Sequence, residues 1–131
     1  MGECIFCNRQ ALVLEAQTDL CFAIRDKYPV APFHTLIIPK RCMATPFELT
    51  GEEQRELFQL AHRCSLDIAR TDNTVGGFNF GANIGQIAGQ KIMHVHFHLI
   101  PRRIGDVPPP VALDEQDPEQ DSGAPHTKRS L

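Results

Sequence analysis

Three histidines stand at alternate positions in His94-Val95-His96-Phe97-His98-Leu99-Ile100, half of the six in the whole chain. A neutral imidazole serves as nucleophile, proton carrier or metal ligand near pH 7. The alternation has period 2, so a strand would set the imidazoles on one face and Val95, Phe97 and Leu99 on the other. His96, flanked by His94 and His98, is the best-placed nucleophile. It attacks phosphorus through one nitrogen only while the other keeps its proton. A backbone carbonyl or a nearby histidine would hold that proton, and His34 begins a neighbouring strand candidate. The loop Gly85-Gln86-Ile87-Ala88-Gly89-Gln90-Lys91 adds backbone N–H groups and the Gln90 amide. A nucleophile, its orienter and a set of donors are the requirements for displacement at a phosphoanhydride.

A second constellation is Cys4-Ile5-Phe6-Cys7, the spacing at which two thiolates hold one zinc or form a redox pair. No βαβ pattern surrounds it, which leaves a thioredoxin-like reading without context. Cys21 and Cys64 fall in apolar patterns and read as core. His62 faces away from the apolar stripe of its helix, and His126 lies in the tail.

The elements that would position these groups are short. Leu12-Val13-Leu14 and Leu20–Arg25 flank the turn-like Gln17-Thr18-Asp19, which predicts a hairpin. Thr35–Pro39 is the next apolar run. Thr50-Gly51-Glu52-Glu53 has the form of a capping box, and Leu57, Leu60, Ala61, Cys64 and Ile68 behind it follow helical spacing up to Thr71-Asp72-Asn73. Phe78–Asn83 alternates again, and Pro101-Arg102-Arg103 is expected to stop the histidine strand. The sum is an antiparallel α+β domain.

Composition limits the remainder. A chain of 131 residues with 42% hydrophobic residues suits one domain with a modest core. No stretch approaches the roughly 18 apolar residues of a membrane span, so no membrane partner is expected. Met1-Gly2-Glu3-Cys4 lacks the features of a signal peptide and of a myristoylation site. Five cysteines, an odd number, read as reduced thiols in a cytoplasm. The net charge of −3 is uneven: residues 1–104 carry 11 Lys+Arg against 10 Asp+Glu, and residues 105–131 carry 2 against 6. A near-neutral body excludes a nucleic-acid-coating surface. Residues 1–107 are therefore expected to form the domain. Residues 108–131, with Pro108-Pro109-Pro110 and many acids, are expected to be a mostly disordered tail.

The chain resembles the histidine triad (HIT) family. The likeness rests on His94-x-His96-x-His98-Leu99-Ile100, on Gly89-Gln90 and Asn83 before it, and on Ala31-Pro32-Phe33-His34-Thr35-Leu36-Ile37-Ile38-Pro39-Lys40. It runs from about Cys4 to Asp106. The ending Ile100-Pro101-Arg102 and Gly105-Asp106-Val107 is similar to the bacterial branch labelled as diadenosine polyphosphate hydrolases. The resemblance implies a HIT-like fold, a five-stranded antiparallel sheet with two helices, paired into a homodimer whose sheets join.

It also implies roles. His96 would form a nucleotidyl-histidine intermediate, His98 and Gln90 would contact the α-phosphate, and His34 would join the His96 network. Asp26 would bind the ribose hydroxyls, Phe6 would line the base pocket, and Asn83 would support the phosphate or ribose. Related bacterial members complete a zinc site after the Pro-Lys turn and at the first triad histidine. This implies one structural zinc on Cys4, Cys7, Cys42 and His94, and no catalytic organic cofactor. Two departures stand out. Lys91 occupies a position usually held by Ser or Thr, where it would meet a longer phosphate chain or solvent. The tail lacks the branch's Pro-Arg-Gly-Gly continuation. The expected function is hydrolysis or transfer at a nucleotide α-phosphate, with dinucleoside polyphosphates as substrates. The alternatives are a nucleoside phosphoramidase, a dinucleoside polyphosphate phosphorylase, a non-catalytic nucleotide-binding module, and a metalloenzyme with all three triad histidines on one metal.

Overall fold

A computed structural model describes residues 4–106. The expectation of a disordered tail over 108–131 lies outside these residues.

Five strands form one antiparallel sheet: β1 (Ala16–Gln17), β2 (Cys21–Arg25), β3 (Thr35–Pro39), β4 (Gly77–Gly81) and β5 (Phe97–Arg102), in the order β1-β2-β3-β5-β4. One α-helix, α1 (Gly51–Thr71), covers one face. It starts where the sequence dictates. The Thr50 hydroxyl accepts the Glu53 N–H, and the Glu53 carboxylate accepts the Thr50 N–H at 2.8 Å. Its buried residues Leu57, Leu60, Ala61, Cys64 and Ile68 meet Cys21, Ala23, Ile37, Val95 and Leu99 of the sheet side. Each fully buried large aliphatic side chain there contributes roughly 1.5–3 kcal/mol. The opposite face carries Phe22, Ile24, Leu36 and Ile38, and Phe6 from the N-terminal segment lies over them.

Four expectations are corrected. The first strand is Ala16–Gln17 rather than Leu12–Leu14, because Ala16 pairs with Ala23 and Gln17 with Phe22 across a tighter turn. Leu12 and Leu14 instead pack on the Phe6 face. The histidine strand enters the ladder only at Phe97, opposite Ile37. Nearer its start, β3 ends in Pro39, which has no N–H to donate, and Val95 bonds instead to the Met43 carbonyl at 2.8 Å. Pro101 does not stop β5. It pairs with Phe78 of β4, beyond the point where Leu99 faces Thr35, the first residue of β3, so its missing N–H leaves no β3 partner unsatisfied. Finally, α1 is the one α-helix among the described residues. In place of a second helix stand 3-10 turns at Arg9–Ala11 and Pro46–Glu48.

Candidate functional site

The face alternation of the histidine run holds even where the ladder does not. Val95, Phe97 and Leu99 join the core beneath α1, and the three imidazoles emerge on the other face. Each ring has one nitrogen fixed. His94 donates its Nε2–H to the Pro39 carbonyl at 2.7 Å. His96 donates its Nδ1–H to the His94 carbonyl at 2.8 Å, which leaves the Nε2 lone pair free. The backbone carbonyl is thus the holder of the proton.

His98 is set by a relay. The Val30 N–H donates to His34 Nδ1 at 3.1 Å, so the proton of His34 sits on Nε2. That nitrogen lies 2.9 Å from His98 Nδ1 and donates to it, leaving His98 with its N–H on Nε2. Burial lowers the pKa of His34 below its ordinary value despite the nearby Asp26 carboxylate. Burial also lowers that of His98, helped by the neighbouring His96 and His34 rings. Both are therefore neutral near pH 7. His34 is delivered by a turn in which Phe33 has φ 70°, a left-handed conformation uncommon for a non-glycine residue. The Arg25 guanidinium over the Phe33 ring, at 5.3 Å, holds that turn.

The remaining expected site residues fall in two groups. Asp26 is drawn into the relay, with Oδ2 at 3.3 Å from His34 Nε2 and Oδ1 accepting the Tyr28 N–H. Asn83 lies beside His98 in the wall of a cavity of about 450 Å³. Lys91 is exposed. Two placements differ from the expected roles. Gln90 is buried, and its amide is engaged within the loop. It accepts the Gly85 N–H and donates to the Ala44 and Ile92 carbonyls, so it shapes the loop and presents no group to a phosphate. Phe6 is 2% exposed and packs edge-on against His94 and His96, with ring centroids 5.7 and 5.2 Å away. It braces those rings and has no open face for a base.

The cavity is lined by Val30, His34, Asn79, Phe80, Gly81, Ala82, Asn83, His98 and Ile100. Val30, Pro39, Asn79 and Gly81 were not read from the sequence as site residues. The first two act through backbone groups, which no side-chain pattern signals.

The cysteine cluster assembles as expected. The ligand atoms of Cys4, Cys7, Cys42 and His94 all lie within 4.8 Å of one another. Cys4 Sγ is 3.1 Å and Cys7 Sγ 3.6 Å from His94 Nδ1, the nitrogen left unprotonated by the Pro39 bond. A carbonyl on the far nitrogen is the usual support of a metal-binding histidine. Desolvation and the adjoining Cys4 and Cys42 thiols push Cys7 up to about 11. Three sulfurs and one correctly oriented imidazole fit a metal ion. Cys42 is held there by its neighbour Arg41, which makes a two-pronged ion pair with Glu53 of α1 at 2.8 and 3.0 Å.

The HIT domain profile matches residues 9–105, and the chain belongs to that family. It is 40% identical over 86 residues to a bis(5'-adenosyl)-triphosphatase of Dictyostelium discoideum, covering 66% of this chain and 57% of that protein. It is 32% identical over 100 residues to an AP-4-A phosphorylase of Mycobacterium tuberculosis, covering 76% of this chain and 50% of that protein. The chain thus spans about half the length of these two relatives. Among solved structures, a hypothetical histidine triad nucleotide-binding protein of Sulfolobus tokodaii superposes with a TM-score of 0.72 at 35% identity, over 80% of this chain and 72% of that one. A Zn-bound histidine triad family protein of Mycobacterium smegmatis gives 0.70 at 28% identity, over 79% and 78%.

Proposed function

We propose that this protein cleaves nucleotides at the α-phosphate through a covalent nucleotidyl-His96 intermediate, with dinucleoside polyphosphates as substrates. The observation that carries this reading is the 2.8 Å bond from His96 Nδ1–H to the His94 carbonyl, which aims an unprotonated Nε2 out of the sheet face. In the first step His96 Nε2 forms a bond to the α-phosphorus. The bond to the bridging oxygen breaks, and the departing nucleoside polyphosphate takes its electron pair. The Nε2–H of His98 donates to a phosphoryl oxygen as charge develops there. In the second step water bonds to phosphorus, the P–N bond breaks, and the proton of the water passes to solvent as the nucleoside monophosphate leaves. Asp26 turns a carboxylate edge to the ribose, Asn83 faces the phosphate side, and Lys91 meets the longer phosphate chain. Gln90 keeps the loop N–H groups in place.

The match to a protein named AP-4-A phosphorylase supports a second reading, in which inorganic phosphate replaces water in the second step. Mass analysis of products made from diadenosine tetraphosphate with and without phosphate separates the two: hydrolysis at the α-phosphate gives a nucleoside monophosphate and a triphosphate, whereas phosphorolysis gives a diphosphate and a triphosphate. Denaturing quench of wild-type protein with substrate should trap a nucleotide on His96. Normal turnover by His96→Ala would overturn the mechanism.

We also infer that Cys4, Cys7, Cys42 and His94 hold zinc, the ion suited to a set of three thiolates and one imidazole. Such a closed set supplies cross-linking and no chemistry to the substrate. The exposed aromatic cluster of Phe58 on α1 and Phe80 on β4, beside the sheet edge, supports pairing into a homodimer. Reduced thiols accord with a cytoplasmic setting, and no described helix is long and apolar enough to cross a membrane.

A further inference from the structure

The cysteine–histidine cluster is built into the support of His96. His94 meets the sulfurs of Cys4 and Cys7 through Nδ1, and its own carbonyl accepts the His96 Nδ1–H at 2.8 Å. A second link runs through the N-terminal segment. Phe6 stands between Cys4 and Cys7, in a turn closed by the Cys7 N–H on the Cys4 carbonyl at 3.1 Å. Its ring packs edge-on against both His94 and His96. The sulfurs themselves are unequally placed. Cys7 and Cys42 are exposed, whereas Cys4 is half-buried against His94. Cys21 and Cys64 lie buried in the core beneath α1. Two exposed sulfurs within 4.8 Å form the arrangement in which one, once oxidised, is resolved by the other.

We infer that Cys7 and Cys42 are a site of reversible oxidation by hydroperoxides, and that closing their disulfide unseats His96. The inference rests on the zinc and nucleotidyl-His96 readings above and adds a chemical control to them. The Cys7 sulfur attacks one oxygen of the peroxide. An S–O bond forms, the O–O bond breaks, and the leaving oxygen takes its electron pair and a proton. The Cys42 sulfur then attacks the Cys7 sulfenic acid. An S–S bond forms, the S–O bond breaks, and the hydroxyl leaves as water with a second proton. The two sulfurs lose two electrons in total and the peroxide gains them; the protons come from the thiols or, for ligated sulfurs, from solvent. Cys4 and His94 are then the two donors left of four, too few for a closed tetrahedral site. Terminal segments stay ordered only where something ties them down. Without that tie the turn bearing Phe6 shifts, and with it the brace on the His96 ring. A thiol reductant exchanges with the disulfide and restores both thiols.

The test treats the full chain, purified without chelator, with hydrogen peroxide. Peptide mass mapping should join Cys7 to Cys42 with the loss of two hydrogens. A colorimetric chelator should register one zinc freed per link, and the melting temperature should fall. Turnover of diadenosine tetraphosphate should drop about 100-fold, the cost of misplacing a reacting group by about 1 Å. Dithiothreitol with added zinc should restore all four readouts. That reversal separates the effect from sulfoxide formation at the exposed Met93, which a simple thiol does not repair. Cys42→His keeps a fourth ligand but offers Cys7 no partner, so its turnover, relative to its own untreated value, should withstand the same dose. If Cys42→His does not fold, Cys7→Ser, which lacks the attacking sulfur, carries the same comparison. Zinc-loaded protein that kept its metal and its turnover through the dose would overturn this site alone. So would inactivation of Cys42→His to the wild-type extent, or a link from Cys4 to Cys7 in place of Cys7 to Cys42. Untreated protein without stoichiometric zinc would overturn the zinc reading and this site with it. Untreated protein without turnover would count against the His96 mechanism, and the mapped link and freed zinc would still decide the oxidation site.

Discussion

At the scale of single residues, function turns on which nitrogen of each imidazole carries the hydrogen. His94 and His98 keep theirs on Nε2 and His96 on Nδ1, as fixed by Pro39, by His34 and by the His94 carbonyl. His96→Ala should therefore lower kcat by about 10⁴-fold or more, since it removes the attacking atom. Binding of a non-hydrolysable dinucleotide, followed by calorimetry, should change little. The buried neutral pair His34 and His98 has a second consequence. Both folded pKa values lie below the ordinary 6.5, so the unfolded chain binds protons first as pH falls. Their contribution to stability is full above about 6.5 and is lost as pH falls through the folded values. Melting curves from pH 8 to pH 5 should show a decline that is smaller in His34→Gln. The histidines and the C-x-x-C pair were legible in the sequence because their residue types are rare and their spacings diagnostic. The Val30 N–H and the two carbonyls were not, since any residue supplies them. Gln90 and Phe6 were assigned roles toward substrate, but burial gives them roles toward the loop and the rings.

At the scale of elements, the ends of α1 were readable and the ends of the strands were not. A capping box is local chemistry between residues three apart, whereas strand limits depend on partners far along the chain. Pro39 and Pro101 illustrate the difference. Both are prolines in strands; one marks where pairing gives way to the Met43 turn, and the other is accommodated because β5 has only one neighbour there. Glu53 links the helix to the cysteine–histidine cluster. It caps α1 and grips Arg41, whose neighbour is Cys42. Chiefly through Arg41, its pKa is held below the usual 4.5, so its contribution is present above that value and lost as pH falls through the folded one. Glu53→Ala should destabilise the protein by about 1–2 kcal/mol, from the lost capping box and the unpaired Thr50 N–H. Urea denaturation measures this, and metal retention should fall in the same variant.

At the scale of the whole molecule, two surfaces remain to be tested. Removing metal with a chelator should lower the melting temperature, because ligation joins the N-terminal segment to the last strand. Cys42→His should keep the metal and Cys42→Ala should weaken it, as elemental analysis would reveal. Phe58→Glu should shift the species seen by sedimentation toward monomer, by placing charge in the aromatic cluster beside the β4 edge. The HIT family was legible because its motif draws on segments around β3, β4 and β5; the number of helices was not, since a single 3-10 turn and a short helix share local sequence.

The contact between Cys4 and His94 joins residues 90 positions apart. A ribosome adding about 5–20 residues per second needs on the order of 5–20 s to make that stretch. Throughout this interval Cys4 and Cys7 have emerged without their imidazole partner, and only Cys42 reaches them early. The four-ligand cluster can close only in a chain whose final strand has been made and docked. It therefore marks completion: a truncated or stalled product would hold Cys4 and Cys7 without the imidazole that completes the set, open to oxidants and to quality-control machinery.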